Sequence, residues 1–117
     1  MKQQELEDRL LKFGVSVIKM TKMMPRTSAS INLIDQVVRS ATAPSLMYGE
    51  ACAAESLKDF VHKMSVALKE LRETKMSLRL IFMSEYVPPE VIEPLIDEND
   101  QLIRIFYKSV ETAKRSC

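Results

Sequence analysis

Large apolar residues recur through the first two dozen positions in alternating steps of four and three: Leu6, Leu10, Phe13, Val17, Met20 and Met24. That rhythm keeps one stripe on one face of a helix. Pro25 ends it, because proline pushes the preceding residue out of helical angles. The turn formers of "RTSAS" follow, with Ser28 and Ser30 as candidate N-caps. A second stripe, Ile31, Ile34, Val38, Ala41, Ser45, Tyr48 and Cys52, runs straight through Pro44. The pattern therefore predicts a helix kinked there, where the proline ring meets the carbonyl of Ser40.

Ser56 can cap a third helix, with Asp59 three residues on as a weaker form of the capping box. From there Leu57, Phe60, Met64, Ala67, Leu71, Thr74, Leu78 and Ile81 hold the same rhythm. "SEYVPPE" breaks it, yet Pro89 suits the first turn of a fourth helix, where its missing N–H is not needed. That helix carries Ile92, Leu95, Asn99, Leu102, Phe106, Val110 and Ala113, with acidic residues near its start and Lys108, Lys114 and Arg115 near its end. The charges lie as the helix dipole prefers.

Four such helices joined by short turns predict an all-α fold: an antiparallel up-and-down four-helix bundle with left-handed crossing, one domain over residues 1–117. Val61 and Leu68 on the third helix, and Ile96 and Ile103 on the fourth, widen the apolar faces beyond a minimal seam. A larger core and a contact with a second copy both account for that width.

Composition narrows the chemistry. The 117 residues include 17 Lys and Arg against 16 Asp and Glu, so any polyanion binding must come from a local patch rather than overall basicity. No apolar run approaches the eighteen or so residues of a membrane span, and the N-terminus lacks a secretory apolar core. Two cysteines, Cys52 and Cys117, make a poor disulfide framework. The expectation is a cytoplasmic chain with both thiols reduced and Cys52 as a small core residue.

No enzyme-like constellation emerges. Di-iron bundles need paired Glu-x-x-His units, whereas this chain offers one histidine, in Asp59-x-x-His62. With two glycines there is no phosphate-cradling loop, and neither cysteine has an orienting base at fixed spacing. The expectation is no metal, cofactor or small-molecule substrate. Met23, Met76 and Met83 fall off the core stripes and stand unexplained by packing. Lys69, Arg72, Lys75 and Arg79 recur along the third helix as candidate nucleic-acid contacts, with Glu70 and Glu73 interleaved, which also fits a solvated mixed-charge face. Arg39 and Glu50 lie about three turns apart on the second helix, each free to meet a charge on a neighbour, with Arg72 and Glu73 as candidates.

The run from Arg39 to Ile81 also resembles a known family. Arg39-Ser40 followed by small residues around Pro44, Tyr48-x-Glu50-Ala51, Ser56-x-x-Asp59-Phe60, "HKMSVALKE" and the "RET" ending at Thr74 are similar to the four-helix bundle proteins encoded in ribosomal RNA intervening sequences, the 23S rRNA-intervening sequence protein family. A more distant similarity is to the accessory variability proteins of diversity-generating retroelements. The resemblance implies a homopentameric bundle without enzymatic activity, in which Arg39, Pro44, Tyr48, Glu50 and Glu73 form a structural signature. In the retroelement branch it further implies an RNA or protein partner bound through basic surface. Two departures stand out: Leu46 and Met47 replace a small residue and Asn, and the chain is nearly neutral where that branch is basic.

Overall fold

The computed structural model describes residues 1–116 and contains four helices: α1 (Gln3–Thr21), α2 (Ser28–Cys52), α3 (Leu57–Met83) and α4 (Pro89–Arg115). Cys117, and with it the expectation for its thiol, lies outside the described residues. α1 ends at Thr21, before Pro25, while Met24 stays buried under the turn that follows. Thr27, not Ser28 or Ser30, caps α2: it is the last extended residue, and its hydroxyl accepts from the Ser30 N–H at 3.2 Å. Ser56 caps α3 as expected, accepting from the Asp59 N–H at 3.0 Å.

α3 closes with a Schellman turn. The Tyr86 N–H bonds to the Ile81 carbonyl and the Glu85 N–H to that of Phe82. Glu85 holds the left-handed position of that turn, at φ 58°. Pro88 and Pro89 then start α4 without a donor to satisfy.

Each helix packs on its predecessor and α4 returns to α1, so the order around the bundle is α1, α2, α3, α4. The α2–α3 seam is the most extensive and the α1–α4 seam the sparsest. Ser40 meets Thr74 and Glu50 meets Lys63, so α2 and α3 run in opposite directions. Gly14 sits against Ala41 and Thr42 while Glu7, two turns earlier, lies near Tyr48, two turns later, so α1 runs antiparallel to α2. The rod measures 46 × 24 × 20 Å, about the length of one 27-residue helix.

The stripes of α1, α3 and α4 form the core nearly as spaced, although Leu57 is exposed and Phe60 and Leu95 are half-buried. Each fully enclosed side chain such as Leu71, Ile92 or Phe106 contributes about 1.5–3 kcal/mol of burial.

α2 differs from expectation. Its buried face is Ser30, Val37, Ser40, Ala41, Pro44, Tyr48 and Ala51, rotated by roughly 60° from the predicted stripe. Ile31 and Cys52 are exposed, so Cys52 is not a core residue. The reason is close approach: small residues let α2 lie against Gly14 on one side and Thr74 on the other, and hydrophobicity alone does not rank serine or proline as core. The helix continues through Pro44 as a single element. Around it, Thr42 Oγ1 donates to the Val38 carbonyl at 2.7 Å and Ser45 Oγ to that of Thr42 at 2.8 Å.

Polar groups inside the core are few. Thr74 Oγ1 lies 2.9 Å from both Ser40 Oγ and the Glu70 carbonyl, and Asn99 Nδ2 donates to the Leu71 carbonyl at 3.0 Å. These pairs tie α3 to α2 and to α4 at defined heights. At the seam between α1 and α4, the Arg9 guanidinium forks onto Glu98, Nε to Oε2 at 3.0 Å and Nη2 to Oε1 at 2.6 Å, and reaches Gln101 at 3.2 Å. Glu98 holds Arg9 more firmly protonated than usual.

Candidate interaction surface

The outer side of α3, flanked by α2 and α4, forms a groove of about 670 Å³. Buried Leu68, Ser77 and Val110 make its floor, while Met76, Leu80 and Tyr107 stand exposed within it. Arg39, Lys69, Arg72 and Lys114 line it against Glu73 and Glu111, leaving an excess of positive charge over an apolar strip. Such a surface suits a helix or chain that is apolar on one side and acidic beside it.

The four cations named from the sequence do not share this place. Lys69 and Arg72 line the groove; Lys75 turns toward α4, its Nζ 3.3 Å from Asp100 Oδ1; Arg79 is exposed outside the groove. Steps of three lag about 60° each behind the helix, so a row written 69, 72, 75 has wound about 120° around α3 by its third member. Arg39 and Lys114 join Lys69 and Arg72 instead, contributed by the flanking helices.

Arg39 and Glu73 share the groove, and Arg39 lies near enough to Glu70 to favour its charged form. The Glu70 carboxyl is nevertheless held above its usual range, by partial burial first and then by the charge and hydrogen bond of Glu73. Glu50 pairs with Lys63 at 2.8 Å rather than with Arg72. It lies near the turn between α2 and α3 and does not line the groove.

Tyr48 works inward. Its ring packs edge-to-face on Phe106, with centroids 5.9 Å apart, bridging α2 and α4 across the bundle. Burial, with help from a hydrogen bond to Cys52, pushes the phenol up to about 12. Its role is packing. His62 is exposed, and among the described residues no three His, Cys, Asp or Glu side chains gather as a metal would need.

Sequence reasoning passed over the apolar half of this surface. Met76 and Met83 are exposed on α3 in step with Leu80, and Leu11, Val15 and Ile18 repeat the same spacing on α1. The off-stripe methionines were the available signal.

The fold is that of an all-α four-helix bundle. Its family model matches residues 2–108, and the chain belongs to the 23S rRNA-intervening sequence protein family. A solved structure, a protein of unknown function from the S23 ribosomal protein family of Bacteroides thetaiotaomicron, is similar at 27% identity with a TM-score of 0.85. The match covers 95% of this chain and 99% of that one. No curated protein matches the chain. Neither description names an activity. No helix among the described residues is long and apolar enough to cross a membrane.

Proposed function

We propose that this protein is a non-enzymatic, self-assembling scaffold of the cytoplasm, a homo-oligomer that acts through the outer faces of its helices. One observation carries the reading: exposed apolar side chains are concentrated in periodic stripes on α1 and α3 although the core is already complete without them. The family resemblance supports a pentamer. Light scattering on purified protein is expected to give about five times the monomer mass of 13.4 kDa. A monomer at every concentration would overturn the reading.

A second reading, an accessory protein bound to RNA or a ribonucleoprotein, is supported by the four cations of the groove, Arg39, Lys69, Arg72 and Lys114. Its test is RNA affinity against salt. Binding that is absent at low salt, or indifferent to Arg72→Glu, removes it.

A further inference from the structure

α1 has 19 residues and α4 has 27, and the difference falls at one end of the bundle. Arg9 meets Glu98 and Gln101, while Met1 and Leu6 share a cleft with Ile105 and Ser116, so α1 runs against α4. The start of α1, about six residues before Arg9, is therefore level with about Ile105. α4 continues to Arg115, about 15 Å further, with no α1 beside it. The gap is a cleft of about 830 Å³ lined from all four helices, within the range of about 300–1,000 Å³ usual for small-molecule sites.

Its walls differ in character. Leu6, Tyr48 and Ala113 are buried and Phe60 and Ile105 half-buried, and together they make an apolar floor. Along α4, Ile105, Ser109, Thr112 and Ser116 follow i, i+4, i+7, i+11 and form one stripe that faces the cleft. The Ser116 hydroxyl donates to the Thr112 carbonyl, but those of Ser109 and Thr112 make no hydrogen bond among the described residues. Lys108 stands exposed at the rim, without an ion pair among the described residues, and is the one charged side chain in the described lining. Glu111, one turn on, lines the α3 groove on the other side of α4, and Glu7 stands near Tyr48 without lining the cleft. The α3 groove mixes carboxylates with its cations; this cleft does not.

We propose that the cleft binds a medium-chain carboxylate, its head at Lys108, Ser109 and Thr112 and its chain against Leu6, Tyr48, Phe60 and Ile105. A carboxylate offers only acceptors, which match an ammonium and two unused hydroxyls. An alkyl chain matches the floor and gains with every methylene it withdraws from water. Ile105 and Ser116 are about 16 Å apart along α4, the reach of a chain of about a dozen carbons. No histidine or carboxylate in the described lining can draw a proton from a hydroxyl, so the cleft holds the acid without transforming it.

The test is NMR on the full chain with labelled Ile and Leu methyl groups, titrated with dodecanoate below the concentration at which it aggregates. Leu6 and Ile105 are expected to shift saturably at one dodecanoate per chain, and Leu80 in the α3 groove to stay in place. Lys108→Gln should weaken dodecanoate about fivefold and leave dodecanol unchanged. Thr112→Phe, at an exposed position of the stripe, should fill the cleft and abolish binding of both, with circular dichroism confirming the fold. The absence of a saturable shift, a shift at Leu80 in place of Leu6 and Ile105, or dodecylammonium bound as tightly as dodecanoate each overturns the proposal. Affinity indifferent to Lys108→Gln does the same, and that comparison decides should Thr112→Phe fail to fold. Protein that sediments with phosphatidylglycerol vesicles yet shows no shift with dodecanoate would assign the cleft to a membrane lipid and overturn the free acid.

Discussion

Replacing Asn99 by leucine is expected to stabilise the bundle by about 1–2 kcal/mol. The residue is fully buried between α3 and α4, and of its two polar atoms only Nδ2 is used, donating to the Leu71 carbonyl at 3.0 Å. Its Oδ1 has no hydrogen-bond partner among the described residues. An unpaired buried acceptor costs about 1–3 kcal/mol, and the one bond made returns about 1. Leucine has the same branch at Cγ and the same number of heavy atoms, and burying it contributes about 1.5–3 kcal/mol, against about 1–3 for the tighter fit of two methyls. The Leu71 carbonyl is not stranded by the change, since it lies within α3 and keeps its helical position. Urea denaturation is the assay: with a slope of about 1–3 kcal/mol per molar, the midpoint should rise by roughly half a molar or more. A midpoint that falls would refute the argument, for it would mean that Oδ1 is satisfied in solution. Asn99→Ala serves as the contrast, expected to lose about 2 kcal/mol or more through the cavity it opens. A lowered slope in the leucine variant would show that the asparagine chiefly enforces one packing register.

Glu85→Gly should stabilise the chain by about 1 kcal/mol, because the left-handed turn after α3 strains any residue with a Cβ; thermal melts would show it as a rise of a few degrees. At high pH, the raised Tyr48 phenol makes folding favour the protonated form. Its contribution is therefore complete below about pH 10 and is lost as pH climbs from 10 toward about 12; base titration of unfolding should lose part of its slope in Tyr48→Phe, and an unchanged slope would contradict the burial argument. We expect α2 to bend at Pro44, so that Pro44→Ala, which gives the Ser40 carbonyl a donor again, reduces the angle between segments 28–43 and 45–52 in an experimental structure; an identical angle would assign the bend elsewhere.

How far the sequence could be read depended on what each helix uses to fill its core. α1, α3 and α4 fill it with Leu, Ile, Phe and Met, and their stripes could be written down from spacing alone. α2 fills it with Ser30, Ser40, Ala41, Pro44 and Ala51, which are there because two neighbours come close. Larger apolar residues, Ile31 and Leu46, lie outside, so a ranking by hydrophobicity turned the helix by about 60°. The basic row met a similar obstacle. Lys69, Arg72, Lys75 and Arg79 are regular in the sequence, but only the first two share the groove, and their companions Arg39 and Lys114 come from helices some thirty to forty-five residues away along the chain. Side chains gathered from three elements leave no single-element signal. The outer seams, by contrast, were legible in principle, because Leu11, Val15 and Ile18 repeat the helical period on a face the core does not need.

The sparse seam between α1 and α4 carries a dynamic consequence. α1 is held by α2 along one side and, toward α4, chiefly by the Arg9 fork on Glu98 and Gln101, while α3 is clasped from both sides. The first helix is therefore the cooperative unit with the least to lose on opening, and its amides should exchange with solvent ahead of those in α3. Docked against a neighbouring copy, the same helix would gain a second wall. Exchange in α1 would then slow as protein concentration rises, making the least anchored helix a reporter of how many bundles have come together.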